Sequence, residues 1–224
     1  MVEIMCIKQV VKIGGSLFPE YAIDLAKRLE NTGSVIVLGG GEFANLIRRY
    51  DSEMEFSDEA NHWTAIDCME IIAKLVNDKV DSARLAYTLD EVREISDEGF
   101  TPIFVVSEFL RKEDPFECSW DVTSDSIAAY VAHLLNANLL IVTNVNGIYT
   151  HEPKEPGSTF ISKIDATTML TFQESSIDAM LPTLLLRYGT DCYVVNGKCP
   201  ERVMSLIDDN INDYNFDYTQ IIGE

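Results

Sequence analysis

Two short β-branched runs, QVVKI at residues 9–13 and SVIVL at residues 34–38, each pass directly into glycines: Gly14-Gly15 after the first and Gly39-Gly40-Gly41 after the second. A segment of helical periodicity follows each turn, from Pro19 to Leu29 and from Glu42 to about Tyr50. Strand, glycine turn and helix, twice in succession, is the pattern of βα units around a mostly parallel sheet. The expected class is α/β, a three-layer α/β/α sandwich with a mainly parallel central sheet. In such a sheet both turns lie at the carboxyl edge, where open α/β folds bind ligands. Glycine lets main-chain amides approach an anion closely, and the helix start that follows adds partial positive charge. A single turn of this kind can be no more than a tight chain reversal; two together favour a phosphate cradle.

The rest of the chain continues the alternation. Apolar spacing predicts a helix from Asp58 to Val76, with Trp63, Ile66, Met69, Ile71, Ile72 and Leu75 on one face and Asp58 and Glu59 at the positive end of its dipole. An acidic helix near Asp90 to Glu98, a strand from Pro102 to Val106 and a charged loop from Arg111 to Asp121 carrying Trp120 come next. Ser124 reads as an N-cap, with Asp125 in the first turn of a helix to about Leu135. The strand Leu139 to Thr143 is bounded by NVNGIY, and THEPKEPGST at 150–159, with two prolines and a glycine, makes a loop or lid. A helix from about Ile177 to Tyr188, a strand at Tyr193 to Val195, the turn Asn196-Gly197 and a helix from Pro200 to about Asp208 close the pattern. Nothing is repeated, low-complexity or linker-like, so residues 1–224 read as one domain with at most two lobes.

Charge narrows the partners. Acidic residues number 37 against 17 basic ones, a formal charge of −20 over 224 residues, which repels nucleic-acid phosphates and anionic lipid. An anionic small substrate then depends on local donors, namely the glycine-turn amides and a few lysines. The cysteines, Cys6, Cys68, Cys118, Cys192 and Cys199, are scattered and show no zinc-ligand spacing, which suits a reducing, cytoplasmic setting. No apolar stretch approaches the ~20 residues needed to span a bilayer. The N-terminus lacks the pattern of a signal peptide and reads directly into a strand, so no processed leader is expected.

Lys12 stands one residue before the end of the first strand and projects opposite to Val11 and Ile13. It is poorly placed for a core and well placed to reach a phosphate lying across Gly14-Gly15. No G-x-x-x-x-G-K-[ST] stretch is present, so the chain is not a P-loop protein. GGGEFA matches the glycine part of a dinucleotide fingerprint, but Asp58 and Glu59, at the distance of its acidic residue, begin a helix rather than end a strand. Of the three histidines, His62, His133 and His151, none abuts a glycine turn in sequence.

VVKIGGSL, VIVLGGGEFAN, TSDSIAAYVAHLL and LLIVTNVNGIY, in that order, resemble the amino acid kinase superfamily. HWTAIDCMEIIA, WDVTSDSIAAYVAHLL and YVVNGKCPERV resemble its archaeal branch that phosphorylates an aminomethylfuran-methyl phosphate in methanofuran biosynthesis. The resemblance implies the amino acid kinase fold, with an N-terminal acceptor lobe and a C-terminal nucleotide lobe, and ATP with Mg2+ as cofactors. It gives Lys12 the role of neutralising the transferring phosphoryl group and Asp125 that of orienting the catalytic cations or the metal. Gly14, Gly15 and Ser16 match the turn over the ATP phosphates, and Thr143, Asn144, Gly147 and Tyr149 the nucleotide-lining segment. Gly39, Gly40 and Gly41 match the acceptor turn, beside which Glu42, Asp58 and Glu59 are candidate partners for an amine. No residue is assigned directly to the metal, which Asp125 and the ATP phosphates would hold. Relatives of this kind assemble as dimers or larger, so a homo-oligomer is expected.

Three departures stand out. Asn146 replaces the aspartate of the usual V-D-G, and Ala179-Met180-Leu181-Pro182-Thr183 lacks the second lysine of G-M-x-x-K, leaving Lys163 as a candidate substitute. The histidine that isopentenyl phosphate kinases carry near the second turn is missing between Leu38 and Glu42. The implied activity is γ-phosphoryl transfer to a phosphate ester, whose second pKa near ~6 leaves it ionised without a protein base. A nucleoside monophosphate or carboxylate acceptor, or molybdate or tungstate storage in the same fold, is the alternative, with an NAD(P) enzyme more distant.

Overall fold

The computed structural model describes residues 6–151, 153–172, 175–208 and 216–224, and the reading of the N-terminus falls partly on residues 1–5, outside this set. The β-branched runs form β1, Gln9–Ile13, and β2, Ser34–Leu38. Between them a short 3-10 turn at Gly15–Leu17 leads into α1, Glu20–Arg28. The second glycine turn opens into α2, Gly41–Met54, and α3, Asp58–Asn77, runs back beside it. The Ser57 hydroxyl caps α3 by accepting from the Ala60 amide. Then come β3, Ala83–Ala86, α4, Leu89–Asp97, β4, Thr101–Phe104, and α5, Ser107–Glu113. They lead to α6, Ser124–Leu135, and β5, Asn138–Thr143. A hairpin of β6, Ile148–Tyr149, and β7, Phe160–Ile161, encloses the proline-rich loop. The chain continues through β8, Lys163–Asp165, α7, Ala166–Met169, α8, Leu181–Tyr188, β9, Cys192–Asn196, α9, Pro200–Ile207, and β10, Thr219–Ile222.

Eight strands form one sheet in the order β3-β4-β2-β1-β5-β9-β10-β8, parallel throughout except where β10 meets β9. The chain builds outward from β1 on one side and then returns to its other side with β5. The carboxyl ends of β2, β1 and β5 therefore share the crevice where strand order reverses, the general ligand position of such sheets. Apolar clusters cover both faces of the sheet. Val10 packs with Val35, Val37 and α6 residues Ile127 and Val131. Val11 and Ile13 pack on the other face with Leu25 of α1 and Val203 of α9.

Local signals failed where tertiary pairing decided the outcome. ARLA at 83–86 is a weak strand former, yet its ladder to β4 makes it β3. Arg111, Lys112 and Glu113, expected in a loop, complete α5, whose end is set by Asp114 in a left-handed conformation (φ 44°). The late helix begins at Leu181, not Ile177, because Pro182, which has no N–H to donate, fits a first turn. On α3, Ile66, Met69 and Ile72 are buried whereas Ile71 and Leu75 stay exposed. Among the described residues no helix is long and apolar enough to cross a membrane.

Candidate active site

Lys12 lies in a central strand covered on both sides, so the face opposite Val11 and Ile13 is not solvent but α6. The side chain is only 7% exposed, contrary to the sequence expectation that it stands clear of the core. What makes this burial tolerable is Asp125 at the start of α6, itself 4% exposed, whose Oδ1 lies 2.7 Å from Lys12 Nζ. No other ion pair or hydrogen bond reaches this ammonium from the described residues, although it carries three protons.

The start of α6 is built differently from its sequence reading. Thr123 is the capping position, Ser124 lies inside the helix, and no hydroxyl caps it. The half-buried carboxylate of Asp178 does so instead. It accepts from the Thr123 amide and hydroxyl (both 2.9 Å), the Ser126 amide (3.0 Å) and hydroxyl, and the Leu181 amide (2.9 Å). Its own amide donates to Asp125 Oδ2 at 3.1 Å. Desolvation, and next the neighbouring Asp125 charge, push the Asp178 pKa up, opposed by the bonds from Ser126 and Thr123.

The two glycine turns touch. A Cβ on Gly15 would lie 2.1 Å from the Gly41 nitrogen, and one on Gly39 2.7 Å from the Gly15 nitrogen, so only glycine permits this approach. Gly15 and Ser16 join Gly39, Gly40 and Gly41 in lining a cavity of ≈ 210 Å3 between α2 and α3. Its walls include Ala44, Asn45, Arg48, His62, Ile66, Met69, Ser119, Trp120 and Ser124. Trp120 roofs it under two restraints: Arg48 Cζ sits 4.5 Å from the ring centroid, and the indole N–H donates to Asp51 Oδ2 at 3.0 Å.

A second cavity of ≈ 200 Å3 is lined by Thr143, Asn144, Gly147 and Tyr149, four of the seven nucleotide candidates, with His151 and Ser176 among the others. Gly14, Lys12 and Asp125 line neither cavity, but Gly14 links the lysine to the second one. A Cβ there would be 3.6 Å from both Lys12 Nζ and Thr143 Cα. Thus Lys12, Asp125, both turns and the segment after β5 converge on the strand-order reversal.

Other candidates do not join them. Glu42 is exposed, absent from the cavity lining, and accepts from Asn45 Nδ2 at 3.3 Å within its own first helical turn. Asp58 and Glu59 are exposed at the start of α3 and line neither cavity. Lys163 is exposed on β8, the far edge strand, and lines neither cavity. Asn146 has a structural account: Oδ1 accepts from Asn196 Nδ2 (3.0 Å) and Arg202 Nη1 (3.1 Å), while Nδ2 donates to Asp217 Oδ2 (3.2 Å). An aspartate there would face Asp217 with like charge. Sequence reasoning missed His62, Arg48 and Asp178; only Trp120, an isolated aromatic in a charged loop, carried a local signal.

The donors suit an anion. Among the described residues no group of three or more His, Cys, Asp or Glu could hold a metal ion; Asp125 Oδ2 accepts from the Asp178 amide, while Oδ1 is buried, ion-paired with Lys12 and without a hydrogen bond. Mg2+ at this place would be held chiefly by phosphate oxygens.

Known proteins resemble this chain in sequence and in fold. The model of the amino acid kinase family matches residues 8–196. A protein of Methanocaldococcus jannaschii named [5-(aminomethyl)furan-3-yl]methyl phosphate kinase is 37% identical over 222 residues, covering 96% of this chain and 97% of its own. A uridylate kinase of Thermococcus kodakarensis is 28% identical over 219 residues, 84% of this chain and 90% of its own. The crystal structure of uridylate kinase from Archaeoglobus fulgidus superposes with a TM-score of 0.71 at 20% identity, covering 96% of this chain and 99% of that one.

Proposed function

Because this chain belongs to the amino acid kinase family and is a phosphotransferase, we propose that it transfers the γ-phosphoryl group of ATP to a phosphate ester, forming a diphosphate. The acceptor we propose is the aminomethylfuran-methyl phosphate named for the M. jannaschii relative. The observation that carries the reading is Lys12, a buried ammonium with one carboxylate partner, beside Gly14 in the first of two touching glycine turns.

ATP with Mg2+ supplies the phosphoryl group and neutralises part of its charge. This chain's residues do the positioning. Gly15 and Ser16, which the family resemblance puts over the ATP phosphates, line the same cavity as Gly39–Gly41 and are reassigned to the acceptor side. Gly14 and the segment from Thr143 to Tyr149 take the nucleotide side and Gly39, Gly40 and Gly41 the acceptor side. Lys12 bridges them, aimed by Asp125, and offers its remaining protons to oxygens that gain charge as the phosphoryl group passes between sites. Asp178 holds Asp125 by fixing the helix start that carries it. An ionised phosphate acceptor needs no protein base, and the chemistry assigned here uses none.

The test is ADP release with Mg-ATP against a panel of aminomethylfuran-methyl phosphate, UMP and simple carboxylates. The furan phosphate is expected to be the preferred acceptor, and Lys12→Ala to lower kcat by about 10²- to 10³-fold, the size of losing one preorganised charge donor. Equal turnover by wild type and Lys12→Ala would remove Lys12 from the mechanism, and preference for UMP would change the acceptor.

A further inference from the structure

The cavity between α2 and α3 has two distinct ends. At one lie the glycine turns, with Gly40 packed against Ala65 and Cys68 of α3. His62 is about one helical turn (~5 Å) farther toward the start of α3. Because α2 and α3 run antiparallel, Arg48 of α2 and the loop residues Ser119 and Trp120 meet it there. A small acceptor with its phosphate at the turns therefore presents its opposite end to His62.

Among the described residues no aspartate or glutamate lines this cavity, although the chain has 37 acidic residues. A donor group at the far end of the acceptor must find a neutral hydrogen-bond acceptor. His62 is 4% exposed, and its Nδ1 lies 3.4 Å from the Ser119 carbonyl oxygen. A carbonyl can only accept, so Nδ1 carries the proton and Nε2 keeps a lone pair. No described residue is hydrogen-bonded to Nε2. Burial lowers the pKa of the ring from its ordinary 6.5, outweighing the Ser119 bond and nearby Asp114, while Arg111 adds to the lowering. A neutral ring with its proton already engaged is suited to receive a donor, not to bind a second phosphate.

We infer that His62 determines acceptor specificity, its Nε2 accepting a hydrogen bond from an amine at the end of the acceptor remote from the transferred phosphoryl group. This rests on the proposed acceptor class, an amine-bearing phosphate ester. Of the other neutral side-chain acceptors lining the cavity, Asn45 is exposed, so a bond to it competes with water, and Ser119 Oγ already accepts from the Asp121 amide at 3.2 Å.

The experiment compares two acceptors, aminomethylfuran-methyl phosphate and its analogue with methyl in place of aminomethyl, on wild type, His62→Leu and His62→Gln. Wild type should prefer the amine by about 10- to 100-fold in kcat/KM, the size of a hydrogen bond involving a charged group. His62→Leu should lose that preference through the acceptor KM, with the KM for ATP unchanged. His62→Gln, which keeps an accepting oxygen, should restore part of it, and serves alone if the leucine variant does not fold. If a folded His62→Leu, or His62→Gln standing alone, shows the full wild-type preference and acceptor KM, the inference fails and the proposed function stands. Failure of wild type to phosphorylate either compound overturns both.

Discussion

The tightest constraint at the residue scale is the contact between the glycine turns. An added methyl at Gly15 would meet the Gly41 nitrogen at 2.1 Å and its Cα at 2.3 Å, both backbone atoms that cannot rotate aside. At Gly14 the nearest atom is the Val142 oxygen, at 3.1 Å. Gly15→Ala should therefore cost ~1–3 kcal/mol of stability, the range for overpacking, and most of the activity, because the turns must part. Gly14→Ala should be the milder of the pair. Melting temperature and ADP release measured on both variants test this, and equal effects would refute it. Of these residues, Gly14, Gly15, Gly39–Gly41 and Lys12 were legible in the sequence, because a glycine run after a β-branched run is a local signal. His62 and Arg48 were not. They reach the site because α2 and α3 fold back on each other, and neither differs locally from an ordinary helical residue.

At the element scale, α6 is a helix whose N-terminus is satisfied by a residue from a distant segment. Removing the carboxylate in Asp178→Ala would leave the amides of Thr123, Ser126 and Leu181 without their acceptor. A loss of ~2–4 kcal/mol is expected from urea denaturation, since each buried unsatisfied group costs ~1–3 kcal/mol and the site can partly relax. Asp178→Asn, which keeps the shape and one accepting oxygen, should lose less stability yet still lower kcat, because Asp125 is positioned through the same segment. Unchanged stability in the alanine variant would disprove the capping role. The sequence reading of α6 as a helix with Asp125 in its first turn holds, whereas its cap was assigned to Ser124. Capping rules look only at adjacent residues, and Asp178 lies beyond their reach. The same limitation hid β10, which pairs with β9 and β8, and whose first residue, Thr219, accepts from the Ile148 amide at 2.8 Å.

For the whole molecule, a formal charge of −20 means that folding concentrates like charges. Raising NaCl from about 20 mM to about 0.5 M shortens the screening length several-fold, and the melting temperature should rise by roughly 2–4 °C for each kcal/mol of repulsion removed. A fall on adding salt would mean that surface ion pairs, such as Arg111 with Asp67 at 2.8 Å, outweigh the repulsion. Within this acidic chain the cavity between α2 and α3 is lined by no carboxylate among the described residues, so the global charge and the local site carry opposite messages. The amino-acid sequence by itself determined the class of fold, the two glycine turns and the presence of a lysine beside the first of them, because strand period and glycine conformation are set over a few neighbouring residues. The partners of that lysine, the real cap of α6, the place of Asn146 and the lining of the cavity between α2 and α3 were decided only by tertiary structure. Each depends on segments far apart in the chain that meet because strand order reverses at β1 and because α3 returns along α2, and contacts of that range leave no periodic trace in sequence.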